Sequence, residues 1–141
     1  MKKLILLFAA LVVLFSCGKD KEEQNSSIQT KPANFELIGN WKLIEILQHP
    51  GIGEAQFYPV ESEKIITFNS DGTITSNGDL CSMTTSADSP TSGTFIGMEN
   101  KFNSNDCNNP NYFFTYIHHN TILIVNYPCF EPCQAKFQKL H

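Results

Sequence analysis

The chain has 141 residues, with fourteen carboxylates against ten cationic side chains and a formal net charge of −4 at pH 7. All ten cations are lysines and none interleave with aromatics in a basic run, which argues against nucleic acid as a partner. Residues 35–141 are enough for one modest core and no second domain.

In chain order, the first feature is an apolar run from Leu4 to Phe15, about twelve residues, behind Met1-Lys2-Lys3. A helix of that length rises roughly 18 Å, short of the roughly 30 Å of a bilayer core, so the run reads as a secretory signal peptide. Leu14-Phe15-Ser16-Cys17 resembles the lipobox of bacterial lipoproteins. The resemblance implies cleavage after residue 16 and acylation of Cys17, whose acyl chains would hold the protein to a membrane. Two or more chains hold stably, at roughly 0.8 kcal/mol per buried methylene. The other reading is an ordinary signal peptide that leaves Cys17 a free thiol.

Residues 17–34 then read as a tether: charged, later rich in Ser, Asn and Gln, with Ile28 as an isolated apolar side chain. Such a segment buries too little to offset its ordering entropy. As a coil it would span roughly 23 Å. Lys19-Asp20-Lys21-Glu22-Glu23 resembles the charged export signal of some Bacteroidota lipoproteins, which implies the outer face of the outer membrane; a merely solvated linker is the other reading. Without Lys2 and Lys3, eight lysines face fourteen carboxylates, a formal charge of about −6.

The domain expected over 35–141 is all-β. Ile38–Leu47, Lys64–Phe68, Thr73–Thr75, Gly93–Ile96, Tyr112–Ile117, Thr121–Val125 and Ala135–Leu140 are β-branched or aromatic runs separated by Asn, Gly, Ser and Pro. A short strand near Leu80–Met83 brings the count to about eight, and Asn69-Ser70-Asp71-Gly72 is a hairpin signal. Several strands are apolar on both faces, which a sheet closed into a barrel puts to use. With Cys17 assigned to lipid, Cys81, Cys107, Cys129 and Cys133 remain, and three connectivities are open. Spacing favours Cys129–Cys133, folded by Pro128 and Pro132, and Cys81–Cys107; a zinc site has only one pair at ligand-like spacing.

Leu37-Ile38-Gly39-Asn40-Trp41-Lys42-Leu43 resembles the G-x-W opening strand of lipocalin-like domains. Ile66-Thr67-Phe68 with Asp71-Gly72-Thr73 is similar to their early hairpin, and the closing Cys-x3-Cys and Lys-Phe-x-Lys strand to small lipocalin-like lipoproteins. The resemblance implies a small up-and-down barrel of about eight antiparallel strands, with Gly39 and Trp41 plugging one end beneath a basic side chain. With no arginine in the chain, Lys136 or Lys139 takes that place. It also implies a calyx for a small apolar or amphiphilic ligand.

Catalytic constellations do not emerge. No G-x-S-x-G elbow surrounds Ser82, Ser86 or Ser89, and His118 and His119, adjacent on a strand, point to opposite faces. Asn69 and Asp71 echo half a calcium loop, but Leu80 stands at its closing position; Glu61 and Glu63 read as a solvated edge. The expectation is therefore a cofactor-free, non-catalytic, lipid-anchored envelope protein. Its candidate ligand wall, by strand alternation, is Phe68, Phe95, Tyr112, Phe114, Tyr116, Ile122 and Ile124. The alternatives are an interaction or inhibitor module that meets an envelope or extracellular protein through loops around Cys107 and Cys129, and a structural envelope protein with a filled barrel.

Overall fold

The computed structural model describes residues 36–48 and 53–141. The signal-like run, Cys17 and the tether lie outside the described residues, as does the His49-Pro50-Gly51 break. Nine strand segments follow one another: β1 (Gly39–Gln48), β2 (Gln56–Pro59), β3 (Ile65–Phe68), β4 (Thr73–Ser76), β5 (Thr91–Ile96), β6 (Lys101–Asn103), β7 (Phe114–His119), β8 (Ile122–Tyr127) and β9 (Cys133–Lys139). β2 pairs antiparallel with β1, from β3 to β9 each strand pairs antiparallel with the next, and β1 also pairs with β9 through Trp41↔Lys139 to Ile46↔Ala135.

On its other edge, β1 holds β3 against Gly39–Lys42 and β2 against Glu45–Gln48. β2 and β3 thus share one edge as an interrupted strand, and the sheet is a closed up-and-down barrel of eight antiparallel strands, lipocalin-like in build. The interruption has a counterpart in β1, where the register to β9 shifts between Leu43 and Glu45. Such a bulge bends a strand and lets one edge serve two partners in turn.

Two sequence expectations change. Leu80–Met83 is a turn and bend, not a strand, because Asp79 accepts from the Cys81 N–H at 2.7 Å and from the Ser82 hydroxyl at 2.6 Å, an Asx turn that curls the backbone. The missing barrel position is filled by β6, whose Lys-Phe-Asn alternation spans only three residues. Tyr112 and Phe113 precede β7 instead of opening it.

The ends of the barrel differ. The described chain starts at the lower end, where residues 69–72, 97–100 and 120–121 make short turns. The upper end carries the long connections 77–90, 104–113 and 128–132, while the 60–64 break between β2 and β3 runs beside Leu43 and Ile44 of β1. Below, Asp71 shapes the 69–72 turn by accepting from the Thr73 N–H at 2.9 Å and its hydroxyl at 2.6 Å.

Inside, Trp41, Ile66, Phe68, Ile74, Phe102, Leu123, Val125 and Phe137 form one buried cluster with Leu37 below and Leu80 above. Trp41 closes the lower end: its indole N–H donates to the Leu37 carbonyl at 2.8 Å, and Lys139 Nζ lies 5.2 Å from the ring centroid. Between the two expected lysines, Lys139 is the one over the indole. Lys136 instead pairs with Glu45 and lies over Phe57 at 4.1 Å. Gly39 has φ +127°, which L side chains resist, and a Cβ there would meet Lys139 Cε at 3.4 Å. The positive φ, more than the room beside Lys139, is what calls for glycine at that position.

Candidate functional site

The predicted wall divides into three groups. Phe68, Phe114 and Tyr116 point inward and are buried, and Phe95 is partly buried against Phe68 at 5.1 Å between ring centroids. Tyr112 lies outside the strand, partly exposed, with its ring 4.9 Å from Phe114. Ile122 and Ile124 are a correction: they sit on the outer face of β8, while Leu123, Val125 and Tyr127 are buried inside. The run Ile122–Val125 is apolar in both phases, so alternation alone leaves the face open. Asn126 breaks the tie, since it shares a face with Ile122 and Ile124 and bonds outside to the Thr115 hydroxyl at 3.0 Å.

The inward aromatics lie against one another. Phe68 meets Tyr116 edge-on at 5.4 Å, Phe102 stacks on Phe114 at 5.1 Å, and Phe114 meets Tyr127 at 5.8 Å. Contacts of this kind contribute packing energy beyond area burial. Sequence reasoning missed Phe102 and Tyr127 as wall residues; the polar flanks Lys101 and Asn103 and the phase of Asn126 were the available signals. Tyr116 and Tyr127 hydroxyls have no hydrogen-bond partner among the described residues. Burial raises both phenols, Tyr116 to about 12, and the Asp79 charge adds to the effect at Tyr127.

At the upper mouth sits Lys64, buried beneath the 77–90 loop. Its Nζ donates to the Ser82 and Thr84 carbonyls at 3.0 and 3.1 Å and lies 6.0 Å from the Tyr127 ring centroid. Desolvation lowers its pKa to about 8 against the opposing pull of Asp79. Ser62 adds a hydroxyl bond to the Thr85 carbonyl at 2.7 Å, so the loop is fastened across the mouth at three carbonyls.

Both expected disulfides are present, Cys81–Cys107 with Cα atoms 5.4 Å apart and Cys129–Cys133 at 6.1 Å. Cys81–Cys107 ties the 77–90 loop to the 104–113 loop; Cys129–Cys133 closes the β8–β9 hairpin tip. Two clefts flank these bridges. One, of about 490 Å³, is lined by Asp79, Asp88, Asp106 and the Cys81–Cys107 pair among others. The other, of about 260 Å³, runs along the same pair past Asn108, Tyr112 and Phe114 to Pro128. Tyr112, Phe113 and Phe130 are exposed in these loops, and Lys101 Nζ lies 4.6 Å from the Phe113 ring centroid.

The remaining candidates separate. His118 is half-buried and His119 exposed at the end of β7, on alternate faces, and burial lowers the His118 pKa. Glu61 and Glu63 are exposed in the break between β2 and β3, where Glu63 pairs with Lys42 at 2.9 Å. Among the described residues, no group of three or more His, Cys, Asp or Glu side chains is placed to hold a metal ion. No protein-family model, no curated protein and no solved structure matches the chain.

Proposed function

We propose that this barrel is the domain of a lipid-anchored envelope lipoprotein that works by non-catalytic binding, with its disulfide-pinned upper loops as the binding surface. The observation that carries the reading is a contrast between the two places a ligand could sit. Inside, rings that would line a calyx pack against one another, sealed by Leu37 and Trp41 below and Leu80 above. Outside, the loops held by Cys81–Cys107 and Cys129–Cys133 present Tyr112, Phe113 and Phe130 to solvent. Covalent pinning reduces the ordering entropy lost on binding.

Anchoring rests on the sequence around Cys17. The described chain starts at the lower end, so acyl chains at Cys17 would leave the upper loops facing away from the membrane. The mass of the mature protein tests it: an N-terminal Cys17 carrying acyl groups is expected, and an unmodified start at another residue overturns the localisation.

A second reading, a small ligand held within the barrel, is favoured by the two buried phenol oxygens of Tyr116 and Tyr127, since unpaired buried hydroxyls cost about 1–3 kcal/mol. Native mass spectrometry of the tag-free protein separates the two. A bare polypeptide mass supports loop binding, and a reproducible small-molecule adduct that Tyr116→Phe weakens supports the calyx.

A further inference from the structure

We infer that the upper loops dock a cationic polypeptide, a lysine- or arginine-rich surface carrying an apolar socket, and that Phe130 is the side chain that enters the socket. The inference rests on the reading of those loops as the binding surface and names the chemistry of the partner.

Phe130 is fully solvent-exposed, at 111% of the reference area, in a chain whose other phenylalanines in strands are mostly buried or half-buried. It is not a loose tip. Cys129 and Cys133 clamp it, and Pro128 and Pro132 restrict the backbone on either side. A rigid aromatic displayed at a hairpin tip loses little freedom on burial, which is the profile of an anchor residue. Beside it, the 260 Å³ cleft along Tyr112, Phe114 and Pro128 offers an apolar groove for the partner's own side chains.

A knob next to a groove admits three occupants: a second copy of this chain, a lipid surface or a foreign polypeptide. Charge decides among them. The upper segments 53–55, 77–90, 104–113 and 128–132 hold five carboxylates and no lysine; Lys64 is buried beneath the 77–90 loop, and Lys101 lies over the Phe113 ring. Asp79, Asp88 and Asp106 line the larger cleft, which shares Cys81, Cys107 and Asn108 with the apolar one, and Glu131 follows Phe130 directly. Asp79 and Asp106 are fixed in place by the Cys81 and Ser92 N–H groups, each at 2.7 Å. Two copies meeting through this end would bring like charges together, and anionic headgroups would be repelled. A cationic polypeptide gains both the charge attraction and the aromatic contact.

The test uses the full chain with four probes: an amphipathic peptide of alternating lysine and leucine, polylysine, phosphatidylglycerol vesicles, and the protein itself over a concentration series. Titration calorimetry and amide chemical shifts are expected to show the amphipathic peptide binding best, with shifts confined to 77–90, 104–113 and 128–132. Phe130→Ala should keep the melting temperature and weaken that binding at least tenfold. Asp88→Asn should weaken it severalfold at low salt and have little effect at high salt. No peptide binding, equal affinity for Phe130→Ala, shifts on the Ile117 and Ile124 face, or preferential binding to vesicles or self overturns the inference. A photo-crosslinker at position 130 separates this failure from that of the broader reading. Capture of a non-basic protein there overturns the cationic assignment and leaves loop binding standing, whereas an adduct seated in the barrel removes both.

Discussion

Lys64 shows how a single buried charge governs a loop. Its ammonium satisfies two carbonyls of the 77–90 loop, and desolvation brings its pKa from 10.5 to about 8. Between those values the unfolded chain holds a proton that the native protein has released, so the unfolded state binds more protons and stability rises with pH. Raising the pH from 7 to 9.5 is expected to add about 2 kcal/mol from this group. Comparing melting temperatures of the protein and Lys64→Met over that range checks it: the variant starts offset by its lost hydrogen bonds but lacks the upward slope. Parallel curves would remove Lys64 from the explanation. Above pH 10 the sign reverses, because Tyr116 and Tyr127 keep their protons in the fold while unfolded phenols lose theirs. None of this was legible in the sequence. A lysine that opens a predicted strand reads as a solvated end, and only the loop closing over the mouth makes it a buried donor. Trp41 was legible for the opposite reason, since its role depends on Gly39, two positions away, and on a cation in the closing strand.

At the level of elements, the two disulfides differ in what they enclose. Cys81–Cys107 spans a sequence separation of 26 and joins two loops across β5 and β6; Cys129–Cys133 spans 4 within one hairpin. Chain entropy gives about 3.5 kcal/mol for the first and about 2 kcal/mol for the second. Urea unfolding of the paired variants Cys81→Ala/Cys107→Ala and Cys129→Ala/Cys133→Ala should therefore rank the first as the larger loss. It should also lose order in the 104–113 loop, where β6 pairs with β7 through only Lys101↔Thr115 and Phe102↔Phe114. A larger loss from the hairpin pair would show that the tip supports the barrel as well as presenting Phe130. Sequence patterning identified strands rich in β-branched or aromatic residues, such as β1, β3 and β8. β2 and β6 escaped because Gln56–Pro59 ends in proline and Lys101–Asn103 sets one apolar side chain between polar ones. The Leu80–Met83 segment had strand composition, yet Asp79 side-chain bonds turned it into a bend. In β8 the element was legible and its face was not, and a one-residue phase error transferred Ile122 and Ile124 from the inside to the outside.

For the whole molecule, the difference between its ends makes an orientation testable. Short turns and the start of the described chain occupy one end; long acidic loops, both disulfides and Phe130 occupy the other. β1 has ten residues, so the ends are separated by roughly 25 Å once strand tilt is included. If the polar stretch read from the sequence as a tether is a coil, it would span roughly 23 Å, comparable to the barrel itself. A domain anchored through it, as proposed, would turn about its point of attachment, and the time-averaged distance to the membrane would be shorter for the attached end. Ser70, in the lower 69–72 turn, and Ser89, in the upper 77–90 loop, are both exposed and suit single fluorescent labels introduced as non-natural residues. With the acylated protein in vesicles carrying lipid acceptors, energy transfer from position 70 should exceed that from position 89. Cys17→Ser should abolish transfer from both positions while leaving the melting temperature unchanged. Equal transfer would mean the loops are not held outward, and the reverse order would place them against the bilayer, where an acidic surface with an exposed phenylalanine could not serve a cationic partner.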